Sequence, residues 1–235
     1  MTLLLTEIHP FAVKPFIVFG ADGRISKNGR AVGRARKLVK VGKLGAAVGY
    51  FGLAEVGRKP MLQWLQEWCN RSRAADLESF ATELAEELNR AVPARVRTRY
   101  ISGFHIAGFG SRREPEFWFV RNVQDDRETI MRSYEVREDF QNHDRRHLAP
   151  GQHQIYRNGD IRAHVAAWER LDEALAPLLA FPDFDIPKSP EDYGRWTKFK
   201  LQVVALFYKR FCRSSIIGSP VDALVIEQGC NPVSV

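Results

Sequence analysis

Residues 2–22, TLLLTEIHPFAVKPFIVFGAD, decide the fold. TLLLTEI (2–8) is a short leucine-rich run closed by His9-Pro10, the signature of a strand that stops at a turn. PFAVKP (10–15) carries two prolines and serves as a connection. FIVFGA (16–21) is continuously apolar, as a strand buried on both faces is. Two such strands, so close together, predict a hairpin. The first core strand therefore begins at Thr2, with no loose tail before it.

Beyond the hairpin, Gly23 to Ala54 contains eight basic residues and no acidic one. Within it KLVKV (37–41) alternates charged and apolar positions, and LGAAVGYFG (44–52) reads as a strand entering a turn where backbone approaches something closely. Two amphipathic helices follow. Pro60 suits the first turn of one, with Met61, Leu62, Leu65 and Trp68 inward. Asp76 suits the N-cap of the other, which runs near 76–91 with Leu77, Phe80, Ala81, Leu84 and Leu88 inward and Pro93 beyond its end.

YISGFHIAGF (100–109) and EFWFVRN (116–122) are the next strands, while 124–160 is polar and weakly periodic. A helix over 163–179 places Trp168, Leu171, Leu175 and Leu178 on one face. Ser189-Pro190-Glu191-Asp192 opens a further helix with Trp196, Phe199, Val203, Leu206 and Phe207 inward. VDALVIE (221–227) is the last strand. Helices grouped between hairpins predict an α+β fold of antiparallel sheets covered by helix layers. No linker or repeat divides residues 1–235, so a single domain is expected.

Composition narrows the class. The chain has 235 residues, 45% hydrophobic and 27% charged, enough for a sizeable core. Its three cysteines, Cys69, Cys212 and Cys230, are scattered and odd in number, which favours reduced thiols and a cytoplasmic setting. No apolar run reaches membrane-spanning length, and no secretory leader is evident. The net charge of +7 attracts anions without specifying one.

The order of motifs resembles that of a proteasome β-type subunit of the N-terminal-nucleophile hydrolase superfamily. GADGR (20–24) is similar to that family's small-small-Asp-x-Arg ending of the second strand. KLVKV (37–41) is similar to its lysine-led short strand, and LGAAVG (44–49) to its apolar strand ending in a glycine turn. SGFHIAGFG and EFWFVRN resemble its next hairpin. IIGSPVDALVIEQG (216–229) resembles the closing strands of bacterial proteasome-like proteins. The resemblance implies two antiparallel sheets stacked face to face with helices on both outer faces, a four-layer αββα sandwich. It also implies a threonine hydrolase acting on peptide or unfolded protein, assembled as a homo-oligomeric ring, with no metal or cofactor. Two elements depart. The family's Gly-Ser-Gly has no counterpart in 123–150, and its later Asp and Ser have none in FYKRFCRSS (207–215).

On that resemblance Thr2, exposed as the first residue by removal of Met1, is the nucleophile. A threonine hydroxyl needs a base, and the free amine of the same residue can serve. Lys37 sets a cation beside that amine and lowers its pKa by repulsion. Asp22 pairs with Lys37, the Gly49 N–H forms the oxyanion site, and Arg24 holds the loop. Each residue also has a purely structural reading: an early strand residue, a turn aspartate, a solvated lysine, a turn glycine.

Other readings compete. A noncatalytic structural or binding protein would keep the fold without the missing elements. The basic segment 24–43 would suit a nucleic-acid-binding protein, but it lacks the interleaved aromatics of a single-strand binder. His143, His147 and His153 in NHDRRHLAPGQH have metal-ligand types, but the segment's Pro150 and Gly151 fit a polar surface loop better. The tryptophans fall on helical inner faces, and Trp64 or Trp68 would mark a subunit contact if the chain forms a ring.

Overall fold

A computed structural model describes residues 2–10, 12–27, 30–111, 113–123, 130–138, 153–159, 168, 170–181, 187–213 and 216–235. The predicted hairpin is present. β1 (Leu3–His9) and β2 (Phe16–Asp22) are buried along their whole length and pair antiparallel, from Leu4 opposite Ala21 to His9 opposite Phe16. β12 (Gln154–Gly159) joins the free edge of β1, and β13 (Val221–Glu227) joins that of β2. With β14 (Val233–Ser234) they make a five-stranded sheet ordered β12-β1-β2-β13-β14.

A second antiparallel sheet contains β5 (Leu38–Val41), β6 (Ala46–Phe51), β9 (Gly103–Phe109), β10 (Pro115–Val123) and β11 (Ile130–Glu138), in the order β11-β10-β9-β6-β5. Two ribbons stand apart from the sheets: β3 (Arg24–Lys27) with β4 (Arg30–Arg34), and β7 (Glu55–Val56) with β8 (Lys59–Pro60).

The alternation of β1 distributes the core. Leu4 and Ile8 join a cluster with Leu38, Ala47, Phe51, Ala107, Phe117 and Phe119 of the second sheet. Leu3 and Leu5 point the other way, against Trp168, Leu201, Val204 and Ala205. A strand with apolar neighbours on both faces needs apolar residues at every position, which is why its sequence runs without alternation.

α1 (Met61–Arg71) and α2 (Leu77–Ala91) cover the second sheet, setting Leu65, Trp68, Phe80 and Leu84 against Val48, Phe104, Ile106 and Val120. Asp76 is the N-cap of α2; its carboxylate accepts from the Ser79 N–H at 2.7 Å. A cap of this type stabilises a helix by about 1 kcal/mol. Pro60 is the residue just before α1 and not its first helical residue. Trp64 and Trp68 are only 8% and 6% exposed and pack in this core, so neither is a surface for subunit contact. A short turn of helix, α3 (Ala94–Arg97), follows Pro93.

α4 (Arg170–Leu175) continues as a 3-10 segment to Ala180; the rest of the predicted 163–179 helix, apart from Trp168, lies outside the described residues. α5 (Pro190–Phe211) starts where predicted, capped by Ser189, which accepts from the Asp192 N–H. Its inward face is not the predicted one. Thr197, Lys200, Leu201, Val204 and Ala205 are buried, while Phe199, Leu206 and Phe207 are exposed. The cause is close approach. A Cβ at Gly194 would lie 2.5 Å from Val225 Cγ2, and one at Gly20 would lie 2.7 Å from Leu201 Cδ1. The helix therefore rests on the sheet through small residues, and bulky aromatics are left outside.

The protein is thus a mixed α+β structure of antiparallel sheets and helices. Among the described residues, no helix is long and apolar enough to cross a membrane.

Candidate active site

Thr2 leads directly into β1, Asp22 is the last residue of β2, and Lys37 immediately precedes β5. The β1–β2 register, which sets Leu4 opposite Ala21, brings Asp22 beside Leu3 and Thr2. Lys37 reaches in from the second sheet. Its Nζ donates to Thr2 Oγ1 at 2.8 Å, to Asp22 Oδ1 at 3.0 Å and to the Arg24 carbonyl at 2.8 Å. An ammonium has three N–H groups, and these acceptors use all of them.

The carboxylate is equally saturated. Asp22 Oδ1 also accepts from the Leu3 N–H at 2.8 Å, and Oδ2 accepts from the N–H groups of Arg24 and Gly218, each at 3.1 Å. All three side chains are buried, with Thr2 at 4%, Asp22 at 0% and Lys37 at 4% exposure. Burial holds the Lys37 ammonium below its ordinary pKa, while the charge and hydrogen bond of Asp22 pull it back up. The result is a buried cation whose proton points at a threonine hydroxyl. Such a group stabilises negative charge developing on that oxygen.

Three of the four predicted site residues are therefore brought together: Thr2, Asp22 and Lys37. Gly49 is placed differently. It lies within β6, opposite Leu38 on one side and His105 on the other. The next residue, Tyr50, donates its N–H to the Lys37 carbonyl at 3.1 Å. N–H groups alternate in direction along a strand, so the Gly49 N–H faces β9. A Cβ on Gly49 would lie 2.6 Å from Leu4 Cδ1, so the absent side chain serves the close approach of the two sheets. The turn predicted at the end of this segment belongs to Gly52, at φ +89°.

Arg24 contributes through its backbone, as N–H donor to Asp22 and carbonyl acceptor for Lys37. Its guanidinium lies against Gly218, where a Cβ would be 2.7 Å from Nε.

Sequence reading missed two participants. Gly218 supplies an N–H to Asp22 from a point 196 residues away in the chain. Gly159 sits opposite Leu3 at φ +114°, and a Cβ there would lie 1.8 Å from the Thr2 carbonyl oxygen. The Asn158-Gly159 pair was its only signal. Further along the inward face of β1, Thr6 Oγ1 meets His105 Nδ1 at 2.9 Å, and Asn158 meets His105 Nε2 at 2.8 Å. A proton on Nδ1 satisfies both contacts. Two surface depressions, one edged by Val56, Lys59 and Trp64 and one by Leu44, Phe109 and Cys230, lie away from Thr2. His143 and His147 lie outside the described residues.

The chain matches no protein-family model and no curated protein.

Proposed function

We propose that the protein is a threonine hydrolase that cleaves amide bonds of peptides or unfolded proteins through Thr2, once Met1 has been removed. The observation that carries this reading is the Lys37 ammonium at 2.8 Å from Thr2 Oγ1 and 3.0 Å from Asp22 Oδ1, all three groups buried. The freed Thr2 amine takes the hydroxyl proton. The Lys37 cation favours the neutral amine and stabilises the alkoxide. Oγ1 attacks the substrate carbonyl, the leaving amine departs with the proton, and water then hydrolyses the resulting ester. The two sheets and their helices are read here as the four-layer αββα sandwich of N-terminal-nucleophile hydrolases, and a homo-oligomeric ring goes with that reading.

The test is intact mass followed by labelling with an electrophile that requires both the threonine hydroxyl and its free amine. Loss of Met1 and a single adduct, absent in Thr2→Ala, are expected. Retained Met1 would sink the hydrolase reading, since Thr2 would then carry an amide. Native mass spectrometry of a stable monomer would remove the ring.

A second reading is favoured by a specific observation. Thr2 is only 4% exposed, and the Gly49 N–H belongs to an interior ladder. A noncatalytic binding or structural protein would be left with the same buried cluster acting as a staple between sheets. Absence of an adduct after Met1 loss selects this reading.

A further inference from the structure

The far end of β1 carries a second cluster. Glu7 and His9 are two apart on the strand and so share the face that Leu3 and Leu5 present to α5. The β1–β12 register, with Ile8 opposite Gln154, brings His153 alongside His9. The two imidazoles stack at 4.5 Å with planes 13° apart. Phe16 stacks on His9 at 4.2 Å, and Tyr193 of α5 packs at 4.9 Å. The His9 ring is therefore fixed in orientation by its aromatic neighbours.

One polar atom each of Glu7 and His9 is left unsatisfied among the described residues. Glu7 is 3% and His9 7% exposed, yet Glu7 Oε1 and His9 Nε2 have no hydrogen-bond partner among the described residues. His9 Nε2 stands 3.7 Å from Glu7 Oε2, too far for a hydrogen bond. The only side-chain hydrogen bond to Glu7 described is from Thr197 Oγ1 to Oε2, at 3.2 Å. A buried polar atom left without a partner is destabilising, because it has given up its hydrogen bonds to water. One ligand atom from each of Glu7, His9 and His153 lies within 4.8 Å of the others.

We propose that Glu7, His9 and His153 bind a divalent transition-metal ion of the zinc class. Two imidazole nitrogens and one carboxylate oxygen match the donor preference of zinc, cobalt and nickel better than that of calcium or magnesium. The ion satisfies both orphaned atoms at once. His153 is solvent-exposed, so the fourth position opens outward. Thr197 holds the carboxylate from behind, the usual role of a group that orients a ligand. Lys200 is the cation that faces Glu7, and Asp172 pairs with it through Oδ1 at 2.5 Å, offsetting its repulsion of a metal. Glu7 lies five steps along extended chain from Thr2, about 17 Å, so this site is distinct from the Thr2 cluster.

The test uses full-length protein stripped with a chelator, then given zinc chloride or cobalt chloride. The expected result is one zinc per chain after dialysis. Cobalt should give a visible d–d band without the near-ultraviolet thiolate band that Cys212 or Cys230 would produce. His153→Asn, at an exposed position compatible with folding, should weaken uptake at least tenfold, and Glu7→Gln should do likewise. Sub-stoichiometric uptake by the wild type, undiminished uptake by His153→Asn, or a thiolate band would each overturn the proposal.

Discussion

At the Thr2 end of β1 the Asp22 carboxylate accepts four hydrogen bonds and the Lys37 ammonium donates three. At the His9 end, Glu7 Oε1 and His9 Nε2 are just as deeply buried and have no hydrogen-bond partner among the described residues. One strand thus carries two buried polar clusters with opposite accounts. The saturated one is complete as folded, with its geometry fixed by seven hydrogen-bonding contacts counted from the two charged groups, one of them shared between the pair. The unsaturated one leaves two buried polar atoms unpaired among the described residues.

Asp22→Ala should have the largest effect on the Thr2 end. It strands the Lys37 charge and three backbone N–H groups in the interior, so chemical denaturation should show a loss of roughly 3–5 kcal/mol. Adduct formation at Thr2 should vanish with it. Gly159→Ala comes next. Positive φ and collision with the Thr2 carbonyl should cost about 2–3 kcal/mol, read as a lower denaturation midpoint with an unchanged slope. Thr6→Val removes the partner of His105 Nδ1 midway along β1 and should cost about 1–2 kcal/mol by the same measurement.

The smallest effect is one of pH. Desolvation of its stacked ring holds His153 below the ordinary histidine value of 6.5. For Glu7, burial pushes its pKa up, but His9, Lys200 and His153 together outweigh this and leave it below 4.5. Both groups bind fewer protons folded than unfolded, so their contribution is present above those values and is lost on acidification. The melting temperature should fall as pH drops below 6.5, and His153→Asn should flatten that fall. Lys37 has the same sign in a different window: its pKa is held below 10.5, so the stability it contributes rises toward alkaline pH. Melting curves across pH therefore separate the two ends.

Much of this was readable from residues alone. Leu3 to Ile8 and Phe16 to Ala21 announced the hairpin because strands buried on both faces have no polar positions to hide them. Asp76 and Ser189 announced their helices because capping is local chemistry. Thr2, Asp22 and Lys37 were found because the order of the motifs that carry them, TLLLTEI, GADGR and KLVKV, resembles that of proteasome β-type subunits. The inward face of α5 was not. Its most apolar stripe, with Phe199, Leu206 and Phe207, is the exposed one, and the buried stripe includes Thr197 and Lys200. Periodicity ranks faces by hydrophobicity and does not register that Gly194 allows the other face to come closer. Glu7 and His9 were hidden for a related reason. Their partner His153 immediately precedes β12, a strand without apolar alternation, so the register that unites them had no local signal.

The contact between Gly218 and Asp22 bears on the order of events during synthesis. Asp22 Oδ2 receives the Gly218 N–H, and β2 pairs along its whole length with β13. A nascent chain that has released its first two strands, Lys37 and the second sheet still lacks this donor and a neighbour for β2. The Thr2 cluster is therefore completed only when Gly218 and β13 leave the ribosome and close a loop of 196 residues. Ring closure of that length slows the final step of assembly. It also means that a chain truncated before β13 would carry Thr2 and Lys37 without the finished setting that makes them a site.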